Sequence, residues 1–373
     1  MSTVDLVVIG GGPTGLATAL YAARLGLGVT VVEPRAGAID KACGEGLMPG
    51  AVAALAGLGV DPPGRDLVGI RYLSGTRAAQ ASFGHGPGRG VRRTTLHAHL
   101  RTAVDAAGAI TVTGSVTGLA QDDDGVTVQV TSRKPPGFPS STHATETLHR
   151  LRARYVVAAD GLHSPTRRLL SLGAPSHGPQ RYGLRQHFGL APWSEHVEVH
   201  WADHGEAYVT PVADDLVSVA ILTSRPAPYT LMLRDFPTVC DRLGDAPTAS
   251  SVRGAGPLRQ RSRRRTAGRV LLAGDASGYV DALTGEGIAL GMAHARAAAA
   301  AIAAGSPQAY ERSWWRATWR YALLTHTLVE ATRVGLVRRG LVPAAATMPR
   351  VFAAAVNELA RPARGPDREG ARR

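Results

Sequence analysis

The sequence predicts an α/β fold: a parallel sheet, interrupted by a separate antiparallel sheet and followed by C-terminal helices. Three observations predict it. An apolar run, a glycine turn, a helical pattern and a second apolar run fill the stretch from Asp5 to Glu33. Between Tyr182 and Thr223 the hydrophobic period changes to two. From Gln308 to Leu359 the pattern is helical and mostly amphipathic. The chain has 373 residues, enough for a large core and two intertwined domains.

The first element is the strand Asp5-Leu6-Val7-Val8-Ile9, followed at once by Gly10-Gly11-Gly12-Pro13-Thr14-Gly15. A helix from Leu16 to Leu25 and a strand Val29 to Val32 lead to Glu33. This is the order a dinucleotide site needs. Gly10 permits the tight turn, Gly12 lets a pyrophosphate approach the backbone, and Gly15 lets helix and strand lie close. The helix N-terminus, opened by Pro13 and Thr14, offers unpaired N–H groups and partial positive charge to a diphosphate. Glu33 stands about 20 residues on, where a carboxylate accepts hydrogen bonds from an adenosine ribose. The motif alone leaves NAD and FAD both open.

Residues 35–66 read as a loop with a short helix near Ala51 to Leu58, and 67–83 as two short strands. Arg93 to Ala107 is helical, with Leu96, Leu100, Ala103 and Val104 at three- and four-residue spacing. Strands follow at Ile110 to Val112, Val126 to Val130 and Arg154 to Ala159, with a Pro- and Ser-rich exposed loop from Lys134 to Thr142. In the antiparallel region Val197, Val199 and Trp201 share one strand face, and Glu198 and His200 the other. Arg269 to Ala273 is strand-like and Gly287 to Ala304 is an Ala-rich helix. The tail after Arg361 is expected to fray.

Composition narrows the function class. At 44% hydrophobic residues, with no uninterrupted apolar run long enough for a span, the sequence predicts a globular protein without a membrane helix. The strand that begins within a few residues of Met1 leaves no room for a signal peptide. Cys43 and Cys240, the only cysteines, exclude a disulfide scaffold and point to a cytoplasmic setting. The net charge of +13 raises nucleic acid as a partner, yet the arginines are spread over the whole chain. The one dense cluster, Arg259, Arg261, Arg263, Arg264 and Arg265, lacks interleaved aromatics; a solvated loop or an anion contact both fit it, a base-stacking platform does not. No metal site is expected: His97 and His99 point to different helix faces, and His196, His200 and His204 fall in strand-like sequence.

Two later segments specify the cofactor. Val156-Val157-Ala158-Ala159-Asp160-Gly161 runs a buried strand into an Asp-Gly turn, with Ser164 placed to cap a helix opened by Pro165. Val270-Leu271-Leu272-Ala273-Gly274-Asp275-Ala276 continues through Asp281-Ala282-Leu283-Thr284-Gly285-Glu286-Gly287 into the Ala-rich helix. Together with the first turn these segments resemble the FAD-dependent monooxygenase and geranylgeranyl reductase superfamily, over roughly Val4 to Ala304. The resemblance implies a Rossmann-type FAD-binding parallel sheet with an inserted antiparallel substrate sheet. Residues 1–66, 94–180 and 262–304 would form the FAD domain, 67–93 and 181–261 the substrate sheet, and 305–373 a C-terminal helical region. Asp160 and Gly161 would lie at the cofactor, Asp275 would bond the ribityl chain, and Gly285 and Gly287 would open a helix whose N-terminus faces the flavin. The family usually has Pro where Ala282 stands. Arg93 resembles the family's FAD-contacting arginine, with Arg92 as the competing choice. Cys43-Gly44-Glu45-Gly46 resembles the segment that passes the isoalloxazine in the reductase branch, making Cys43 and Gly44 cofactor contacts and Glu45 either pocket lining or an exposed loop acid.

The resemblance implies two reactions, both with FAD and with NAD(P)H as transient reductant. One hydroxylates a phenolic or polyketide-like small molecule with O₂ through an adduct at the flavin C4a carbon. The other saturates a prenyl alkene. A third reading is a flavoprotein without turnover. Tyr208-Val209-Thr210-Pro211 is shorter and more polar than the aromatic segment of the reductases, which favours the hydroxylase and places Tyr208 and Pro211 at the substrate. Arg185 and His187 share a strand face that either meets solvent or orients a phenolate, with His187 as proton acceptor. The halogenase Trp-x-Trp-x-Ile-Pro signature is absent. Trp314, Trp315 and Trp319, set among arginines, suit domain packing or, with a lipid-like substrate, a peripheral membrane contact.

Overall fold

The computed structural model describes residues 3–133, 146–176, 178 and 180–361; the Lys134 to Thr142 loop and the tail beyond Arg361 lie outside them. The first half of the chain runs β1 (Thr3–Ile9), α1 (Pro13–Arg24), β2 (Val29–Glu33), α2 (Pro49–Gly57), β3 (Gly69–Ser74), β4 (Arg77–Ser82), α3 (Arg93–Ala106), β5 (Ile110–Thr113), β6 (Ser115–Gln121), β7 (Val126–Arg133), β8 (Glu146–Ala158) and α4 (Pro165–Leu169). The second half contributes β9 (Tyr182–Gly189), β10 (His196–Ala202), β11 (Gly205–Ala213), β12 (Leu216–Thr223), β13 (Arg253–Ala255), β14 (Thr266–Ala267), β15 (Val270–Leu272), α5 (Gly287–Ala303), α6 (Ala309–Arg333), α7 (Gly335–Thr347) and α8 (Pro349–Leu359).

The main sheet has the order β14-β15-β8-β1-β2-β5, with β7 and β6 continuing antiparallel from β8. Its centre is parallel and in step: Ile9 lies opposite both Val32 and Ala158, and Ala158 opposite Leu272. The central strands are continuous apolar runs because helices or β-layers cover both faces. One face packs on α1, α3, α5 and the start of α6 through Leu6, Leu16, Leu96, Leu100, Met292 and Tyr310. Two close approaches set the spacing. A Cβ on Gly15 would lie 1.8 Å from the Gly10 carbonyl oxygen, and one on Gly291 would lie 2.3 Å from Thr14 Oγ1. Those glycines let α1 nest against the first turn and α5 against α1.

The second sheet has the order β13-β9-β12-β11-β10-β3-β4. It departs from the purely antiparallel expectation at one seam, where β10 pairs in parallel with β3, Val199 opposite Tyr72. Val197, Val199 and Trp201 do share a face and join one cluster with Leu283, Val329 and Val342. The opposite face is covered as well. The helical turns Tyr229–Leu233 and Pro237–Leu243 pack under Val209, Val219 and Ile221. Glu198 and His200 are buried together, with Trp193 Nε1 donating to Glu198 at 3.0 Å.

Helix α6 splints the loop that follows β15. Tyr310 Oη donates to Leu272 O at 2.8 Å, Trp314 Nε1 to Ser277 Oγ at 2.8 Å, and Tyr321 Oη to Asp281 O at 2.9 Å. The arginine cluster shares this role: the Arg265 guanidinium lies 3.7 Å over Trp314, and Arg259 binds Glu330 and His326. The tryptophans therefore divide, with Trp314 buried and Trp315 and Trp319 facing outward. No described helix is long and apolar enough to cross a membrane.

Candidate active site

The two sheets meet at a cavity of about 950 Å³. One end is the first turn. Gly10 there has φ +102°, and a Cβ would sit 2.5 Å from Ala159 O, so only glycine lets the turn lie against the end of β8. Gly12, Pro13 and Thr14 line the cavity; Gly15 does not, and acts through packing alone. A Cβ on Gly12 would meet nothing within 4 Å, and α1 has no side-chain cap. Its first-turn N–H groups thus face open space, as an anionic ligand requires. Glu33 is buried at the cavity edge, accepts from Gly11 N at 2.7 Å and from Arg35 Nε at 2.6 Å, and so fixes the turn from the next strand.

The middle is built by the two later motifs. Asp160 Oδ2 accepts from Thr166 N at 2.9 Å, while its buried Oδ1 has no partner among the described residues. Ser164 caps α4 by accepting from Arg167 N at 2.9 Å. Buried Arg167 then donates to Ala276 O at 2.9 Å and to Leu162 O at 2.8 Å, tying the Asp160-Gly161 turn to the Asp275 turn. Asp275 lines the cavity and binds Lys41 at 3.2 Å. Lys41 is one of two lysines in the chain, a rarity that could have singled it out in the sequence. Arg93 lines the cavity with its Nε unpartnered; Arg92, at the helix cap, does not line it. Gly161, Gly285 and Gly287 complete this stretch of wall.

The far end belongs to the antiparallel sheet. Cys43, Gly44 and Glu45 cross in front of it. Glu45 is 2% exposed with φ +58°, a strained backbone for a side chain with a Cβ. It is held there by Arg93 N, donating at 2.7 Å, and by His187 Nε2 at 2.6 Å. Of the two readings of Glu45, the structure selects pocket lining over an exposed acid. Arg185 and His187 are both buried, which removes the solvent-face alternative. They differ in reach. Arg185 lines the cavity, pairs with Asp40, and keeps an unpartnered Nε. His187 does not line it: Glu45 occupies Nε2, while Ser250 Oγ at 3.0 Å and Arg185 Nη1 at 2.9 Å occupy Nδ1. A direct proton acceptor role for His187 is therefore replaced by contact through Glu45. Burial opposes ionisation of Glu45, but the hydrogen bond and charge of His187 and the charge of Arg185 prevail and hold its carboxyl low. Tyr208 lines the cavity and donates to Leu283 O at 2.8 Å. Pro211 does not line it; its carbonyl packs against Gly90 instead. Behind Tyr208, Arg181 bridges Glu206 and Asp281. Sequence reasoning missed this ion pair and the Asp40 partner of Arg185, because each joins residues more than twenty positions apart with no motif between them.

An extended groove with exposed helix N–H groups at one end, unpartnered Asp160 and Arg93 atoms along it and the Asp275 carboxylate on its wall fits FAD. Residues 3–222 match the family described as FAD binding domain. The chain belongs to this family of FAD-dependent oxidoreductases. It is 30% identical to a menaquinone reductase of Mycobacterium tuberculosis, across 80% of this chain and 76% of that one. It is 27% identical to digeranylgeranylglycerophospholipid reductase 2 of Methanosphaera stadtmanae, across 77% and 75%. A 3-(3-hydroxy-phenyl)propionate/3-hydroxycinnamic acid hydroxylase of Mycolicibacterium smegmatis is 30% identical across 45% of this chain and 30% of its own. The flavin-dependent brominase Bmp2 shares the fold, with a TM-score of 0.75 at 17% identity over 96% and 94% of the two chains.

Proposed function

We propose that the protein hydroxylates a phenolic or polyketide-like small molecule that carries an apolar body, using FAD, NAD(P)H and O₂. The supporting observation is the two-sided cavity wall. Ile70, Tyr72, Val197, Val199, Leu222 and Leu258 form an apolar face, and Arg185 and Glu45 bring buried charge to the same space. A phenol with an apolar extension matches both: the ring oxygen meets Arg185, whose Nε–H has no acceptor among the described residues, and the body fills the apolar face. Bound FAD supplies the electron transfer and the reaction with oxygen. The chain's own residues bind, orient and exclude water. The α1 N-terminus and Glu33 hold the adenosine diphosphate end, Asp275 and Lys41 the linker, and the Gly285–Gly287 turn the flavin end. His187 fixes Glu45, and through it the loop that covers the reacting end.

A second reading is reduction of a carbon–carbon double bond in an isoprenoid chain. It is favoured by the relatives that match over most of this chain, which are reductases, whereas the hydroxylase matches less than half of it. One experiment separates the two. Purified holoprotein is given NAD(P)H with alkyl phenols in air, and with prenyl quinones or prenyl lipids without oxygen. Substrate-dependent O₂ uptake with a product heavier by one oxygen carries the first reading; anaerobic saturation of the prenyl chain with no gain of oxygen replaces it by the second.

A further inference from the structure

Glu286 stands between Gly285 and Gly287 at the start of α5 and lines the cavity at 7% exposure. Among the described residues its Oε1 has no hydrogen-bond partner, and its side chain caps no N–H of the helix. The acids around it are otherwise occupied: Asp275 by Lys41, Glu45 by His187 and Arg185, Asp281 by Arg181. Tyr321 from α6 is its ionisable neighbour on the packed helix, Tyr279 from the preceding turn stands beside Gly287, and burial pushes both phenols up, so neither offers charge. Burial likewise pushes the Glu286 carboxyl well above the usual range, with no cation among the described residues pulling it back. A carboxyl in this setting stays neutral and keeps a proton to give.

We propose that Glu286 is the proton donor of the cavity, supplying the proton that the redox reaction consumes there. The inference rests on the cavity being the redox site, and holds for either reaction named above. In hydroxylation one oxygen atom of O₂ enters the substrate, the other leaves as water, and that water takes one proton. In alkene reduction one carbon takes a hydride and its neighbour a proton. NAD(P)H supplies both electrons in each case, and solvent returns the proton to Glu286 between turnovers.

The test compares wild-type holoprotein with Glu286→Gln, which keeps volume and neutrality but carries no transferable proton. Three readouts are taken: FAD titration, the infrared carbonyl stretch of a protonated carboxyl at neutral pH, and the pH profile of product formation. Glu286→Gln is expected to bind FAD within about twofold of wild type, to lose the carbonyl band and to form product about 100-fold more slowly, the lower end for general acid catalysis. The alkaline fall in wild-type activity should follow deprotonation of the same band, which also serves as the measure if the variant does not fold. The proposal is overturned if no protonated-carboxyl band belongs to Glu286, if turnover and pH profile are unchanged, or if the variant fails only by losing FAD. Failure of wild-type protein to bind FAD at all would instead overturn the reading of the cavity.

Discussion

The end of the parallel sheet and the wall of the antiparallel sheet border one cavity, yet treat polar groups in opposite ways. At the parallel end the chain leaves them open: α1 is uncapped, Asp160 Oδ1 has no partner, and space lies beside Gly12. At the antiparallel wall most charges satisfy one another, Arg181 with Glu206 and Asp281, Arg185 with Asp40, His187 with Glu45. The first region is completed by a ligand and the second largely by the chain itself. Substitutions should therefore act on cofactor affinity in the first region and on folding in the second.

The largest effect is expected at the wall. Arg181→Met leaves Glu206 and Asp281, 3% and 2% exposed, without their cation, and should cost about 3–5 kcal/mol of folding stability, as for other broken buried pairs. Burial raises both carboxyls in the native state, although Arg181 pulls each down. A raised native pKa means stability present at low pH and lost as pH rises through the native value. The deficit of Arg181→Met should hence be deeper at about pH 8 than at about pH 5, because lowering the pH favours the protonated, neutral form of the two acids. Denaturant unfolding at the two pH values reads this, and an equal deficit at both would remove the carboxyls as its cause.

The next effect sharpens the contrast within one turn. Gly15→Ala forces a Cβ to within 1.8 Å of Gly10 O and should destabilise the fold by about 3 kcal/mol, the upper range for overpacking against backbone. Gly12→Ala meets no atom of the described residues within 4 Å, so its melting temperature should stay close to wild type while FAD affinity drops. If Gly12→Ala unfolds the protein and keeps its FAD affinity, the open end is not a diphosphate site.

How much of this was legible in the sequence follows the same divide. The glycine turn, the Asp160-Gly161 turn and the Asp275 segment are local patterns, each carried by consecutive residues, and each lands on the cavity wall. The antiparallel strands were legible as a period of two, but the burial of their second face was not, because β10 presents Glu198 and His200 there, which the fold pairs internally. Arg185 and His187 looked alike in sequence, one strand face apart by two residues. Only the loop bearing Glu45, 142 positions before His187, separates the residue at the cavity from the one behind it. Pro211 was misplaced for a related reason: it sits one residue past Thr210, whose hydroxyl donates to Gly44 O at 2.8 Å, so the strand's alternation turns the Pro211 side chain to the opposite face.

A third prediction probes the open end directly. Asp275→Ala should weaken FAD binding by about 2 kcal/mol, the worth of a hydrogen bond to a charged group, with little loss of folding because, among the described residues, the Asp275 carboxylate is bound by Lys41 alone, itself partly exposed. Fluorescence titration of apoprotein with FAD checks it, and unchanged affinity would take Asp275 out of the linker site.

The smallest effect is expected where the two regions touch. Tyr208 Oη donates to Leu283 O, joining β11 to the segment that leads into Gly285. Tyr208→Phe removes that bond while keeping the ring in its apolar cluster, and should cost about 1 kcal/mol. Because the acceptor is a backbone carbonyl two residues before the Gly285 turn, the loss should appear as looser substrate positioning, a raised KM with FAD affinity near wild type. A fall in FAD affinity matching that of Asp275→Ala would mean that the wall and the cofactor end are one coupled unit, and that the division between them is a matter of sheet topology alone.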